Sequence, residues 1–360
     1  MPSPFHATNR TEEVTRREAV RRLGALGGGG LFAGSGVLAL GERLMAEPRQ
    51  QAPILRTLQG DVAPGSLADG AVLFHEHLSI QLGPNPSFHS DVGLMIDEAR
   101  AARANGVALI VDGGHPDMAR DLAALQRITR ESGMPLIASG GYYMQRTYPA
   151  DIATKSAQQI ADDLVSEARR DSLGAFGEIG QQSGTLTADE RKVHEAIALA
   201  HVRTGIPVFT HNAYSIRATD VPRDSALRQL DIYEEAGANL GNVCIGHMCC
   251  LDDPAADIAT QIARRGAYVG FDRVTLNGTM PDANRVIAAM ALVEAGHADK
   301  LLLSSDFYSQ RALAREGGPG FAQTVTVFGP MLLAAGLPEP TLRRILEENP
   351  RRFLAFAPKV

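Results

Sequence analysis

Short apolar segments recur along the chain from residue 72 onward, and they define its organisation. Each segment is rich in Val, Ile or Leu and shows little alternation with polar residues. Continuous apolar runs of this length are typical of strands buried on both faces of a parallel sheet. The predicted strands are residues 72–78, 108–114, 135–143, 174–180, 207–212, 242–248, 267–273 and 301–307.

The stretches between these strands carry helical periodicity. Leu122, Leu125 and Ile128 share one helix face, and Gly133 and Gly205 stand just past helix ends, where a left-handed cap needs glycine. The predicted helices are residues 95–105, 120–132, 157–171, 189–205, 225–237, 255–266, 282–296 and 321–336. Strands alternating with helices in this way predict an α/β protein, a (β/α)8 TIM barrel. An open doubly wound sheet would need a glycine-rich phosphate loop after its first strand, and none is present there.

Two different segments precede the barrel. Residues 54–70 contain turn residues between short apolar runs, which predicts a small β-hairpin. Residues 1–50 place Arg16 and Arg17 before a weakly apolar, glycine-rich run that is too short for a stable membrane anchor. This pattern resembles a twin-arginine export signal, so we expect a signal and linker over 1–50, a barrel domain over 51–360, and a periplasmic or extracellular location. A basic extension without signal function is the alternative, and it would leave the protein cytoplasmic.

The C-terminal ends of the strands are where a barrel builds its active site. His75 and His77 are one residue apart on the first strand, so they are expected on one face, with Phe74 and Glu76 on the other. Four further strands end in ionisable residues, namely Glu178, His211, His247 and Asp306. Buried ionisable groups are rare unless they are paired or bind a metal.

These six residues predict a metal site of nitrogen and oxygen ligands. Zn²⁺ suits such a set best, and Mn²⁺, Co²⁺ and Fe²⁺ are chemically compatible. Because one catalytic zinc uses about three protein ligands, six ligands predict two ions with a bridging carboxylate. We assign His75, His77 and Asp306 to one ion, His211 and His247 to the other, and Glu178 to both.

Charge and composition narrow the range of partners. The net charge is −6, the basic residues are scattered, and Trp is absent. A nucleic-acid surface is therefore not expected, and a small-molecule substrate is. Cys244, Cys249 and Cys250 lie too close together for a zinc ribbon or a disulfide framework, so we expect buried small apolar residues.

The ordered set of motifs resembles the phosphotriesterase family of the amidohydrolase superfamily. The resemblance rests on the segment 75–78, the histidines of strands five and six, the aspartate of strand eight and the closing segment 348–354. It implies a binuclear metal hydrolase of esters, lactones, phosphotriesters or some amides, and a homodimer. Glu178 replaces the carbamylated lysine of the best-studied members, and Asp272-Arg273 is similar to the lactonase-type members.

We therefore expect a metal-bridging hydroxide that attacks a lactone, a carboxylic ester or a related amide. Phosphotriester hydrolysis is an alternative, although Met248-Cys249-Cys250 stands where the organophosphate-hydrolysing branch has acidic residues. A metal-dependent deoxyribonuclease of the same superfamily is a second alternative, which the negative net charge disfavours. A metal-binding protein without turnover is the non-enzymatic alternative.

Residue roles follow from this hypothesis. Asp306 is the candidate general base, and Arg273 is a candidate for holding an oxyanion or a polar substrate group. Tyr143 is a candidate substrate wall, whereas His115 and His201 are expected to be ordinary histidines without aligned partners. The long segment 308–320 is expected to cover the pocket as a mobile loop.

Overall fold

The computed structural model describes residues 51–216, 220–275 and 280–359. The expected export signal, over residues 1–50, lies outside these residues. The described chain begins with the hairpin that the sequence predicts, in which β1 (Leu55–Thr57) pairs antiparallel with β2 (Gly60–Val62). Within the described ranges, no helix is long and apolar enough to cross a membrane.

Eight parallel strands follow and stand side by side in chain order. They are β3 (Ala71–Glu76), β4 (Val107–Asp112), β5 (Leu136–Gly140), β6 (Ala175–Ile179), β7 (Val208–Thr210), β8 (Val243–Ile245), β9 (Tyr268–Phe271) and β10 (Leu301–Leu303). Every residue of these strands is buried. The predicted TIM barrel is confirmed.

Helices connect the strands and cover the outside of the sheet. Seven of them are α1 (Val92–Ala104), α2 (Leu122–Ser132), α3 (Ala157–Arg170), α4 (Ala188–Thr204), α5 (Ser225–Glu235), α6 (Asp257–Arg264) and α7 (Asp282–Glu294). The first helix begins before the predicted residue 95, because the Asp91 side chain accepts a hydrogen bond from the Leu94 amide and caps the helix.

The eighth predicted helix, over 321–336, includes a π-helical segment, Thr324–Phe328, followed by α8 (Gly329–Ala334). Two more helices, α9 (Glu339–Arg343) and α10 (Asn349–Leu354), complete the described chain. They were not predicted as helices.

The first and last barrel strands, β3 and β10, are joined by a buried carboxylate. Glu76 accepts hydrogen bonds from the Ser304 hydroxyl (2.9 Å), the Ser305 amide (2.8 Å) and the Ser305 hydroxyl (2.7 Å), and from the Phe307 amide (3.0 Å). In addition, the Asp306 amide donates to the His75 carbonyl at 3.2 Å. Glu76 thus closes the barrel directly beside two of the candidate ligands.

The barrel interior below the strand ends is apolar. Its residues include Leu55 of the hairpin and Phe353 of α10, which close the N-terminal end, and the inward-facing residues Val72, Phe74, Leu109, Val111, Ile137, Ala175, Phe209, Cys244, Tyr268 and Leu302. We call this set the lower layer. All three cysteines of the chain are buried and none forms a disulfide, as expected for small apolar residues.

The expected alternation along the first strand is wrong at one step. Phe74 and His75 are consecutive, yet both rings pack against Phe209, with centroid distances of 6.0 and 5.0 Å. The register between β3 and β4 shifts between Leu73 and Glu76. An irregularity of this kind lets two successive side chains face the same side of a strand. The His75 ring therefore packs directly on Phe209 of the lower layer.

Candidate metal centre

Glu178, at the end of β6, lies at the centre of four buried imidazoles. Its Oε2 atom is 2.7 Å from Nδ1 of His211, 3.3 Å from Nε2 of His247 and 3.4 Å from Nε2 of His75. Its Oε1 atom is 3.3 Å from Nε2 of His77. These contacts bring the ends of strands β3, β6, β7 and β8 to one point, as a barrel with inward-facing strand ends requires.

The potential ligand atoms form two groups that share Glu178. One atom from each of His75, His77, Glu178 and Asp306 lies within 4.8 Å of the others, and the same holds for Glu178, His211 and His247. Asp306 joins the first group through Oδ1, which is 3.0 Å from Nε2 of His77. The structure therefore brings together all six residues that the sequence singled out, in the grouping that was assigned to them. Their role as ligands stays a prediction.

Asp272, at the end of β9, orients two of the imidazoles. Its Oδ2 atom is 2.9 Å from Nδ1 of His75, and its Oδ1 atom is 3.0 Å from Nδ1 of His247. The same Oδ1 accepts the His247 backbone amide at 2.7 Å. A carboxylate that accepts a hydrogen bond from Nδ1 fixes the ring proton on that nitrogen. The lone pair of Nε2 is then available to bind a metal ion. Although His75, His247 and Asp272 form a third close group, these hydrogen bonds make Asp272 an orienting residue.

His211 is oriented in the opposite sense. Its Nε2 atom is 3.0 Å from the hydroxyl of Ser215, in the turn after β7, so its Nδ1 atom faces Glu178 and His247. The sequence analysis gave no role to Ser215, and it noted Asp272 only within the resemblance to lactonase-type members. Asp272 carried the same signal as the six predicted residues, since it is an acidic residue at the end of an apolar strand.

The carboxylates make this cavity strongly negative. Burial alone would lower the pKa of His77 and of His247, but hydrogen bonds and charges from Asp306, Glu178 and Asp272 raise both to about 9. The pKa of His75 is raised in the same way. Burial works against ionisation of Glu178 as well, yet the surrounding imidazoles hold its pKa well below its usual value.

The donor set fits divalent cations. His75 Nε2 is buried and has no hydrogen-bond partner among the described residues, although it is directed at Glu178. A cavity that favours protons on several buried imidazoles favours a metal cation for the same electrostatic reason, and cation binding would displace those protons. Imidazole and carboxylate ligands without thiolate suit zinc and related divalent ions.

Backbone geometry supports the placement of these side chains. His247 and Asp306 adopt left-handed conformations, with φ of 57° and 47°, which are uncommon for residues other than glycine and cluster at functional sites. Gly113, after β4, lies against the first two histidines: a Cβ there would be 3.0 Å from the His75 ring and 3.2 Å from that of His77. Any side chain at this position would press on both imidazoles.

Arg273 and Tyr143 each lie beside a different candidate ligand. The Arg273 guanidinium donates to the Tyr308 hydroxyl at 2.7 Å, and its Nε atom is 3.4 Å from Oδ2 of Asp306. Burial would raise the pKa of Asp306, but Arg273 and His77 together hold it below its usual value. The Tyr143 ring meets the His211 ring edge to face, with centroids 5.0 Å apart. Both residues are therefore adjacent to candidate ligands.

The two histidines expected to be ordinary differ from each other. His201 is satisfied within the helical layer, since Nδ1 contacts the Ile206 carbonyl at 2.7 Å and Nε2 accepts the Asn239 amide at 3.1 Å. His115, however, does have aligned partners: its ring contacts the Glu178 carbonyl at 3.0 Å and Asp117 at 2.6 Å. The expectation for His115 is wrong: Asp117 is only two residues away, and the other partner, Glu178, comes from a distant strand and cannot be read from local spacing.

The segment 308–320 after β10 is anchored near its middle. Two short 3₁₀ turns, Gln310–Ala312 and Ala314–Glu316, flank the buried Leu313. The buried carboxylate of Glu98 on α1 accepts the amides of Ala314 (2.9 Å) and Arg315 (3.1 Å). This anchoring restrains a loop that was expected to be mobile.

Sequence comparisons agree with this geometry. The profile of the phosphotriesterase family matches residues 53–354. The phosphotriesterase homology protein of Escherichia coli is 32% identical over 297 residues, which cover 79% of this chain and 97% of that protein. The human N-acetyltaurine hydrolase is 30% identical over 293 residues, which cover 76% of this chain and 80% of that protein.

Solved structures show the same fold. The crystal structure of the Escherichia coli protein superposes with a TM-score of 0.70 and 28% identity, covering 79% of this chain and 99% of that one. A lactonase from Listeria monocytogenes gives a TM-score of 0.71 at 21% identity, covering 84% of this chain and 99% of that one, and this likeness shows the fold. The family match and the E. coli relative together show that the chain belongs to the phosphotriesterase family and is a metal-dependent hydrolase.

Proposed function

We propose that this chain binds two divalent cations, with Zn²⁺ the best-suited ion, and hydrolyses a carbonyl compound. The observation that carries the proposal is the central position of Glu178, whose two oxygens face different imidazoles: Oε1 faces His77, and Oε2 faces His75, His211 and His247. A carboxylate shared in this way can bridge two ions. His75, His77 and Asp306 would hold one ion, and His211 and His247 the other.

The substrate that fits best is a small lactone, carboxylic ester or related amide. The resemblance to lactonase-type members implies that Arg273 lies near the substrate, and its position beside Asp306 supports this assignment. The human relative is named for hydrolysis of N-acetyltaurine, which is cleavage of an amide bond. Cys249 and Cys250, which are buried, offer no carboxylate for proton transfer where the organophosphate branch has acidic residues. These observations favour carbonyl substrates over phosphotriesters.

The residues of this chain would divide the reaction between them. Bound cations supply Lewis acidity, which polarises the carbonyl oxygen and lowers the pKa of a water molecule. Asp306 lies at the edge of the cluster and would take the proton from the attacking water and pass it to the leaving group. Arg273 Nε has no hydrogen-bond partner among the described residues, so it can donate to the oxygen on which negative charge develops. Tyr143, beside His211, would form a wall of the substrate pocket.

The test combines metal analysis with a substrate panel. The purified protein is loaded with Zn²⁺, Mn²⁺ or Co²⁺, its metal content is measured, and it is assayed against a lactone, an aryl ester, an N-acetyl amide, a phosphotriester and single-stranded DNA. Two ions per chain with hydrolysis of a carbonyl substrate support the proposal. One ion per chain would overturn the binuclear centre, and preference for the phosphotriester or DNA would overturn the substrate class. Two ions without any hydrolysis would leave only metal binding.

Two variants separate metal binding from substrate handling. Glu178→Ala should lose metal and activity together, because both ions lose a shared ligand. Arg273→Ala should keep both ions and lose activity. The Arg273 guanidinium contacts Oδ2 of Asp306, whereas Oδ1 is the oxygen that faces His77. If the Glu178 variant retains both ions, the assigned bridge is incorrect.

We also propose that residues 1–50 direct export. Arg16 and Arg17 before the glycine-rich run support this assignment. The full chain should appear in the periplasmic or secreted fraction of a host with the twin-arginine system, and a double substitution of both arginines by lysine should retain it in the cytoplasm. Equal distribution of the two forms would contradict the proposal.

A further inference from the structure

His115 links two parts of the centre that lie on different strands. It follows β4 and is fully buried. One ring nitrogen, Nε2, lies 3.0 Å from the backbone carbonyl of Glu178 at the end of β6, and the other, Nδ1, lies 2.6 Å from Oδ1 of Asp117. A carbonyl oxygen can only accept a hydrogen bond, so Nε2 carries a proton and donates it to Glu178. The Nδ1 side faces a carboxylate, which is also an acceptor.

Asp117 contacts the loop after β5 through the carboxylate oxygen that does not face His115. Oδ2 of Asp117 accepts the backbone amide of Tyr143 at 2.9 Å and the hydroxyl of Thr147 at 2.8 Å. Both donors belong to the loop after β5, which carries the candidate substrate wall. Asp117 therefore holds the start of that loop with one oxygen and His115 with the other.

The two ends of this connection have little freedom to move otherwise. The Glu178 amide donates to the Gly113 carbonyl at 3.2 Å, so the end of β4 holds both backbone groups of Glu178. The Tyr143 backbone packs directly against Gly180, where a Cβ would collide with the Tyr143 carbonyl. Because the side chains of His115 and Asp117 are buried, removal of one partner leaves a donor or acceptor unpaired, and the chain must shift to satisfy it.

We propose that His115 and Asp117 are positioning residues that hold the backbone of Glu178 and that of Tyr143 in a fixed relation. His115 sets the Glu178 carboxylate for metal binding, and Asp117 sets Tyr143 for substrate binding. This inference rests on the proposed function, since it assumes that Glu178 binds metal and that Tyr143 contacts substrate. It goes beyond that proposal by assigning the two effects to different atoms of one imidazole.

Two isosteric substitutions separate the two atoms. The amide nitrogen of Asn takes the place of His Nδ1, and that of Gln takes the place of Nε2. His115→Asn keeps the hydrogen bond to Asp117 and loses the one to Glu178, so metal affinity should fall by about tenfold or more, the range for lost outer partners of a metal site. Its KM in excess metal should stay within about twofold of wild type, because the contacts of Tyr143 are retained.

His115→Gln should show the opposite pattern. It keeps the hydrogen bond to Glu178 and loses the one to Asp117, so metal affinity should stay within about twofold of wild type while KM rises by about tenfold. Metal affinity is measured by chelator competition and by the visible absorption of the Co²⁺-loaded protein, which are independent of turnover. A role limited to folding would instead lower thermal stability, metal affinity and substrate affinity together in both variants.

Two further variants keep the inference testable if a His115 variant does not fold. Thr147→Val removes the hydroxyl that donates to Asp117 and that also bonds to the Met144 backbone within the same loop, and it should raise KM without changing metal affinity. His201→Asn is the control for loss of a buried histidine outside the centre, and it should change thermal stability alone. The inference is overturned if Asn and Gln at position 115 have the same profile, or if Thr147→Val leaves KM unchanged. If the wild-type protein binds no divalent metal and hydrolyses no panel substrate, the proposed function itself has failed.

Discussion

The lower layer of the barrel and its mouth are built from the same strands but held together differently. On β7, Phe209 belongs to the lower layer and His211, directly after the strand, to the mouth. On β8 and β10, Cys244 and Leu302 lie in the lower layer, whereas His247 and Asp306 lie just beyond the strand ends. Only a few residues of one strand therefore separate apolar packing from a cluster of ionisable groups.

The two layers depend on different kinds of interaction. In the lower layer, Phe74 packs edge to face against Phe209 and Phe353, each at 6.0 Å, and these contacts tolerate small shifts. In the mouth, a specific oxygen selects the orientation of three of the four imidazoles: Asp272 orients His75 and His247, and Ser215 orients His211. The lower layer should thus determine stability, and the mouth should determine activity. The following predictions test that division.

Metal removal should have the largest effect, and it should be confined to the mouth. Chelation should abolish hydrolysis and lower the free energy of unfolding by about 4 kcal/mol for each site that was saturated at ~1,000 times its Kd. The far-UV circular dichroism spectrum should not change, because the lower layer is independent of the ligands. Addition of Zn²⁺, Mn²⁺ or Co²⁺ should restore activity. Loss of secondary structure on chelation would show that the two layers are not separable.

Phe74→Ala should have the reverse effect of metal removal: it should lower stability and leave the metal site intact. The side chain is fully buried between two other aromatic rings, so its truncation should lower the free energy of unfolding by about 3–5 kcal/mol. Metal content should stay at the wild-type level below the unfolding transition, although His75 is the next residue. Denaturant unfolding and metal analysis of the same sample check both parts. Loss of metal at full folding would mean that the lower layer also positions the ligands.

The sequence predicts the lower layer well, for a physical reason. Buried parallel strands need apolar residues along most of their length, and helices need a repeating apolar face, so both leave periodic signals. All eight strands were therefore located within a few residues, and the glycines at helix ends fixed most connections. The irregular step between Phe74 and His75 was missed, because a shift in register depends on the neighbouring strand.

The mouth was predictable only in part. The six candidate ligands stand at strand ends, where position alone distinguishes them, and the structure brings them together. Ser215 is only four residues from His211, but other polar partners are distant in sequence: Asp272 is 197 residues from His75, and His115 is 63 residues from Glu178. No local pattern records such pairs. The α9 and α10 helices were also missed, since the closing segment was interpreted through family resemblance and not through its periodicity.

Acid should weaken the helical layer independently of the mouth. His194 on α4 is buried against the Tyr233 hydroxyl at 2.9 Å, and burial lowers the pKa of His194 to about 4 from 6.5. The folded state thus disfavours the protonated ring, so its contribution to stability is complete above about pH 6.5 and is lost as pH falls to about 4. The full loss is about 3 kcal/mol at about 1.36 kcal/mol per pH unit.

His194→Asn isolates this contribution. Asparagine places an amide where Nδ1 contacts Tyr233 and does not titrate, so the variant should lose less stability than wild type between pH 6.5 and 4. Chemical denaturation of both proteins, with metal removed by chelation, measures the two slopes. Equal slopes would show that protonation of His194 does not contribute to the acid sensitivity.

Asp272→Asn should give the smallest effect, and it is the most direct test of orientation in the mouth. Asn keeps the shape of Asp but presents one amide N–H₂ group, so it can accept a hydrogen bond from only one of the two imidazoles that Asp272 now orients. The imidazole that faces the amide N–H₂ group should carry its proton on Nε2 instead of Nδ1. Its Nε2 atom could then no longer bind a metal ion. Metal affinity should fall by about 10–100-fold, the range for an outer carboxylate partner, with little change in the stability of the metal-free protein.

Chelator competition measures the affinity. The matched control is Asp253→Asn, which changes a buried carboxylate that pairs with Arg223 away from the cluster. Wild-type affinity in Asp272→Asn would mean that packing in the barrel alone fixes the imidazoles, and the division between a packed lower layer and an oriented mouth would then fail at its most specific contact.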